Sequence, residues 1–343
     1  MPTHWKSRLK VFCTSPQSMN VPQANYVSRV AEVSRWAERY GCEGILIYTD
    51  NGLVDPWLVS NIVLQNTDRL CPLVAIQPAY MHPYAAAKMI ASYGFLNERR
   101  MYVNLVAGGF RNDLLALNDT TPHDARYDRV TEYTQILKQL LASPKGVTFE
   151  GDYYTVNNLR MKPPLPPELM PGILISGSSD AGLAAAKAIG ATAIKYPGRP
   201  GDEQQLEPPT DLEQGVRVGI VARETTEQAW QVAHHRFPTD DRGEKLHDLA
   251  MKTSDSSWHK QLSDMAAADA EQDDPYWLRP FKTYKTFCPY LVGSYETVAR
   301  EFTKYIAAGY GTYIMDIPPS EEELHHMSIV FDEAVEGVSQ CQN

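Results

Sequence analysis

The residues of this 343-residue chain that are able to do chemistry gather at the ends of short apolar runs. The most informative of them lie in residues 173–189, ILISGSSDAGLAAAKAI. An apolar strand runs there into Gly177-Ser178-Ser179-Asp180 and then into an Ala-rich helix. A helix leaves its first backbone N–H groups unpaired, and together with the positive end of the helix dipole they suit an anion. Gly177 lets another group approach the backbone closely. On this segment alone two readings stand open: an ordinary helix cap made by Ser or Asp, or a seat for a phosphate.

Other strand ends supply further polar groups: Gln17, Asp50, Asn51 and Asp55, Gln77 and Tyr80, Asn104 with Ala107, Lys195 and Tyr196, Arg217 and Asp316. An Asn inside MYVNLV is unfavourable in a buried strand unless its amide is hydrogen-bonded. Asn104 is therefore either a satisfied wall residue or a cofactor contact. His123 and Tyr127, in PHDARYDRV, are able to approach the seat, or equally to pack and cap the entry of their helix. There is no G-x-S-x-G elbow, no H-E-x-x-H and no close carboxylate pair, so no metal site is expected. The pairs His234-His235 and His325-His326 read as surface residues. A phosphate seat and a polar rim without a protein nucleophile suggest that a phosphate-bearing cofactor carries the chemistry.

The elements that must position these groups alternate along the chain. Runs rich in β-branched residues begin near Leu9, Gly44, Leu73, Met101, Ile173, Ala191, Val216 and Thr312, and each leads to a stretch with helical periodicity. Several runs are apolar almost throughout, as expected of parallel strands covered on both faces. Eight strand–helix units and no G-x-G-x-x-G favour an α/β fold of the (β/α)8 TIM-barrel class over a doubly wound sheet. Functional groups then belong at the C-terminal strand ends. One barrel domain over residues 1–343 is expected, with insertions at about 144–172, before strand five, and 238–290, between strands seven and eight. A connection as long as the second is a candidate lid; the alternative is a helical surface insertion with no role.

Composition narrows the partners. The chain is 43% hydrophobic and 22% charged with net charge −10, which fits a soluble globular protein and argues against nucleic-acid binding. No apolar run approaches the ~20 residues of a membrane span, and no signal peptide is read at the start. Five scattered cysteines without a C-x-x-C point to a cytoplasmic location rather than a disulfide framework.

Taken in order, GILIYTDNGLVDPWLV, LVAIQPAYMHPYAAAKMIA, RRMYVNLVAGGFRND, HDARYDRVTEYTQILKQLL, FEGDYYTV, ILISGSSDAGLAAAKAIGA and GVRVGIVARETTEQAW carry a resemblance. They resemble the bacterial-luciferase-like flavin monooxygenases, closest to the alkanesulfonate monooxygenase group. The resemblance implies a two-component enzyme that takes reduced FMN from a separate NAD(P)H-dependent flavin reductase. It implies oxygenation of a small-molecule substrate by O2 through a peroxyflavin, and assembly as a homodimer or homotetramer. Carried over, Gly177, Ser178, Ser179 and Tyr127 hold the phosphate. Asn104 and Ala107, in N-L-V-x-G, face the flavin, His123 and Tyr196 flank it, and Asn104 and Arg217 act in catalysis. Gln17, Asp50, Tyr80, Lys282 and Lys285 are substrate candidates. The sulfonate enzymes' nearby histidine becomes Gly219, their cysteine Leu53, their lid arginine falls near Tyr284, and their last tyrosine becomes Pro318. An alkanesulfonate is therefore not the expected substrate; hydroxylation, C–S or C–N cleavage and Baeyer–Villiger oxidation stay open. A deazaflavin- or flavin-dependent hydride-transfer oxidoreductase and a non-catalytic flavin-binding protein are the alternatives.

Overall fold

Apolar, β-branched runs form the barrel strands, and these are buried along almost their whole length. The computed structural model describes residues 4–108, 110–177, 179–198, 211–253, 262–265 and 274–341. Its strands are β1 (Lys10–Thr14), β2 (Gly44–Ile47), β3 (Cys71–Ile76), β4 (Tyr102–Val106), β5 (Val147–Glu150) and β6 (Thr155–Leu159), followed by β7 (Gly172–Ser176), β8 (Thr192–Lys195), β9 (Gln214–Arg223), β10 (Tyr276–Trp277), β11 (Tyr290–Ser294) and β12 (Thr312–Met315). The eight expected strands are all present as β1–β4, β7–β9 and β12, and the fold is a closed (β/α)8 barrel.

The helices are α1 (Gln23–Arg39), α2 (Pro56–Asn66), α3 (Pro83–Asn97), α4 (Arg111–Ala116), α5 (His123–Ala142), α6 (Asp180–Ile189), α7 (Thr226–Arg236), α8 (Asp241–Thr253), α9 (Arg279–Lys282), α10 (Tyr295–Ala307) and α11 (Glu321–Cys341). Their starts follow local chemistry. Asp55 caps α2 by accepting from the N–H groups of Trp57 (2.9 Å) and Leu58 (3.3 Å), with Pro56 in the first turn. Thr225 and Ser294 cap α7 and α10 in the same way, and Gly190 ends α6 in the left-handed conformation.

Two compact units divide the chain, one of Ser15–Arg35 and Gly44–Ala193, the other of Met1–Thr14, Trp36–Glu43 and Ile194–Asn343. In the first, β2, β3, β4 and β7 run parallel, with Ile47 opposite Val74, Ala75 opposite Asn104, and Asn104 opposite Leu174. The excursion before β7 is an antiparallel hairpin, β5–β6. The carboxylate of Glu132 on α5 holds it by accepting from the N–H groups of Asp152, Tyr153 and Tyr154 at 2.8, 2.9 and 3.1 Å.

In the second unit β9 serves two partners along its ten residues: Gly215–Val218 pair with β12, and Gly219–Arg223 pair with β11. The sequence reading missed β11, whose YLVGS sits at the end of an aromatic insertion and directly before a helix. An aromatic cluster fills this unit, with Phe331 at 4.8 Å from Phe302, 5.3 Å from Tyr313 and 5.6 Å from Trp5 between ring centroids. Of the adjacent histidines, His326 is buried and bonded to the Tyr295 hydroxyl at 2.7 Å while His325 is exposed. That corrects the surface reading for one of the pair, because neighbours on a helix point to different faces.

Glu323 at the start of α11 is buried and receives both Arg223 and Arg236, the latter at 2.6 Å. Burial opposes its ionisation, but the hydrogen bonds and charges of the two arginines outweigh it and hold its carboxyl below the usual glutamate range. A lowered folded-state value contributes stability above the unfolded glutamate value, about 4.3, and that stability is lost as pH falls through the folded value. Glu323→Gln should therefore lower stability by about 2 kcal/mol at neutral pH. In urea melts the gap to wild type should close as pH drops below that of the free side chain; a gap that persists unchanged at low pH would contradict the ion-pair account.

Candidate functional site

The start of α6 is built by side chains from two distant helices. Ser179 caps α6, its hydroxyl accepting from the Gly182 N–H at 3.2 Å. The same Ser179 side chain is hydrogen-bonded to the phenol of Tyr127, which lies buried one turn into α5. Burial pushes the Tyr127 phenol up, against the pull of Ser179 and of the Arg126 charge, so it stays protonated and able to donate. His123 meets Tyr127 edge to face at 5.3 Å and bonds Asp124 through Nδ1 at 2.7 Å. A Cβ on Gly177 would lie 2.4 Å from the Tyr127 hydroxyl oxygen, so only glycine leaves this cleft open. Ser178 lies outside the described residues.

These groups fit a phosphate: a ten-residue helix opens with a hydroxyl cap, a neutral phenol sits beside it, and the backbone at Gly177 carries no side chain. One strand over, Asn104 is buried in β4 and its Oδ1 accepts from the Ser176 hydroxyl at 3.0 Å. Its amide nitrogen has no partner among the described residues and remains a donor. Ala107, also buried, follows the end of β4. Ser176 was not among the expected site residues; the β4–β7 register places Val106 opposite it, a pairing no local pattern reveals.

Next along the same sheet, a cavity of about 200 Å³ opens beyond β2 and β3. Asp50, Asp55, Gln77 and Tyr80 give it polar walls, and Leu53 and Trp57 are among its apolar ones. The Tyr80 hydroxyl donates to Asn51 at 2.7 Å, and Asp50 accepts from the Gly52 N–H at 2.7 Å. Parallel strands stand roughly 4.8 Å apart, so the seat at β7 and the cavity wall at β3 are separated by about 10 Å across Asn104. Gln17, the remaining candidate of this unit, is half-buried and accepts from Asn20 at 3.3 Å.

The other unit carries its own polar cluster. Arg217 on β9 is buried and donates to the Tyr196 hydroxyl at 3.2 Å. Asp316, just past β12, accepts from Thr286 at 2.6 Å and from Tyr290 at 2.8 Å. Burial, with Asp316 and Cys288 nearby, pushes the Tyr290 phenol far up, so it is a fixed donor. A Cβ at Gly219 would stand 2.3 Å from the Tyr290 ring. The space of a side chain at 219 is thus filled from β11, a substitution hidden from a reading that lacked that strand. Lys285 is paired with Asp240 at 2.5 Å, and Lys282 ends α9. Among the described residues no three of His, Cys, Asp and Glu gather as metal ligands, and no helix is long and apolar enough to cross a membrane.

Comparison with known proteins agrees with this architecture. The family model described as luciferase-like monooxygenase matches residues 7–312. The 4-(gamma-L-glutamylamino)butanoyl-[BtrI acyl-carrier protein] monooxygenase BtrO of Niallia circulans is 34% identical over 321 residues, 92% of each chain. Among solved structures, the long-chain alkane monooxygenase LadA superposes with a TM-score of 0.73 at 14% identity, covering 96% of this chain and 92% of its own. The oxygenating constituent of 3,6-diketocamphane monooxygenase from Pseudomonas putida, solved with FMN, gives 0.69 at 13% identity, covering 97% and 98%.

Proposed function

Because the chain belongs to the luciferase-like monooxygenase family and is a flavin-dependent enzyme of that family, we propose that it is the oxygenase of a two-component system working with reduced FMN. The observation that supports this is the Gly177–Ser179–Tyr127 seat, one strand from a buried amide with a free donor. Bound there, reduced FMN supplies the electrons that activate O2. The protein's part is binding and shielding. Ser179, Tyr127 and the first turn of α6 hold the phosphate, and the Asn104 amide faces the ring system. A separate NAD(P)H-dependent reductase provides the reduced flavin. The relative BtrO acts, by name, on an acyl group borne by a carrier protein. We take the substrate here to be of that kind, an acyl chain presented on a carrier, and not an alkanesulfonate.

Turnover with reduced FMN, isotopically labelled O2 and carrier-bound against free acyl substrates tests the proposal. One labelled oxygen atom in the acyl product, with the carrier-bound form preferred, is the expected result. Flavin reoxidation that never labels any substrate would count against the oxygenase reading.

A further inference from the structure

β7 reads Gly-Ile-Leu-Ile-Ser, and its one hydroxyl stands at the last position, Ser176. Parallel register sets Asn104 opposite Leu174 and Val106 opposite Ser176, so Asn104 and Ser176 share one face of the sheet, two residues out of step. Two residues of strand span about 6.6 Å. The Asn104 side chain therefore leans along β4 toward its C-terminal end to bring Oδ1 within 3.0 Å of the Ser176 hydroxyl. That end of a barrel strand is where functional groups belong.

The bond to Ser176 orders the amide. Asn104 is 5% exposed, and its strand neighbours Val103 and Leu105 are buried and apolar. Among the described residues, the donation from Ser176 is the only hydrogen bond that its side chain makes. A primary amide has an acceptor at one end and a donor at the other, and a half-turn exchanges them. A hydroxyl donating to the oxygen leaves the nitrogen on the other side, as the donor. With an apolar residue at 176 the oxygen would lose its donor, and a buried acceptor is costly to leave unmade, so the amide would turn to find one. Ser176 also directly precedes Gly177, whose missing side chain leaves room for the Tyr127 hydroxyl. One stretch of backbone thus sets both the phosphate seat and the orientation of Asn104.

We infer that Ser176 is a positioning residue, whose hydroxyl fixes the Asn104 amide with its nitrogen turned to the flavin ring. The inference rests on the oxygenase reading, since it takes the ring to lie against Asn104. Reduced flavin is richer in electrons than oxidised flavin, so a fixed donor binds the reduced form more strongly. An amide free to turn loses that discrimination.

The test uses the full chain under anaerobic conditions, titrated with reduced FMN, reduced riboflavin and oxidised FMN. Ser176→Ala should weaken reduced FMN and reduced riboflavin alike, each about tenfold, because the phosphate seat is untouched. Oxidised FMN should change by less than about threefold, so the preference for the reduced form falls. Ser176→Thr keeps the hydroxyl and should stay within about threefold of wild type. The isosteric Ser176→Val should match Ser176→Ala, and it serves in its place if that variant does not fold. In an Asn104→Ala background, Ser176→Ala should change reduced-flavin affinity less than about twofold, since the group it positions is gone. Unchanged reduced-flavin affinity in folded Ser176→Ala, the same loss in the Asn104→Ala background, or an equal loss of the oxidised form overturns the inference. A wild-type chain that binds neither reduced flavin overturns the oxygenase reading and the inference with it. Bound reduced flavin with Ser176→Ala unchanged strikes only the positioning role.

Discussion

Gly177→Ala should lose roughly a hundredfold in affinity for reduced FMN while the protein still folds. The new methyl would lie 2.4 Å from the Tyr127 hydroxyl oxygen and 3.2 Å from its Cζ, both too close. Tyr127 is 7% exposed and cannot swing into solvent, so its ring must be pushed back from the seat. Movement of the ring breaks the bond to Ser179 and removes the phenol from any anion held at α6. A charge-assisted hydrogen bond is worth about 1.5–3 kcal/mol, and a neutral one about 1. Their sum, near 3 kcal/mol, corresponds to about two powers of ten. Fluorescence titration under anaerobic conditions measures it, with the thermal midpoint as the check on folding. An affinity within threefold of wild type would mean that the cleft beside Gly177 is not where the phosphate sits.

Gly219→His, which would install the histidine of the sulfonate enzymes, should instead destabilise the fold by about 3 kcal/mol. Its Cβ would fall 2.3 Å from two atoms of the Tyr290 ring, and that ring is 3% exposed. Overpacking of this kind costs about 1–3 kcal/mol. Displacing Tyr290 also takes its hydroxyl from Asp316, leaving a carboxylate with Thr286 as its other donor. The hydrogen bond to a charged group adds about 1.5 kcal/mol or more. Urea denaturation checks the loss, and the paired variant Gly219→His with Tyr290→Gly should recover part of it by removing the clash. A stable single variant with alkanesulfonate turnover would show that the ring is not what excludes the histidine.

Much of the frame was legible from the residues. Buried parallel strands read as continuous apolar runs, and Pro56, Pro83, Ser179 and Ser294 mark helix starts through local capping chemistry. The segment at Gly177–Asp180 was also visible, yet by itself it could not be told from a plain cap. Ser179 does cap α6, and what favours a seat beside that cap is Tyr127, fifty-two residues earlier, whose hydroxyl reaches Ser179 only after α5 and α6 pack. The residues allowed that approach but equally a packing and capping role at the helix entry, and only the family resemblance assigned Tyr127 to a phosphate. Three features were beyond the sequence for the same reason. Ser176 meets Asn104 through strand register, Gln77 joins Asp50 and Trp57 only as walls of one cavity, and Tyr290 occupies the space at Gly219 through a strand that the residues did not reveal. Each depends on a side chain placed by tertiary contact, and period-2 or period-3.6 patterns carry no record of that.

The seat beside Gly177 is proposed to hold the flavin phosphate. Reduced FMN and reduced riboflavin differ only in that group, so their affinities for the full chain, and for Tyr127→Phe and Ser179→Ala, isolate the seat. The seat predicts that the wild-type protein prefers FMN by at least a hundredfold and that either substitution cuts this preference about tenfold with riboflavin binding unchanged. Equal affinity for the two flavins, or a preference that both variants keep intact, would contradict it.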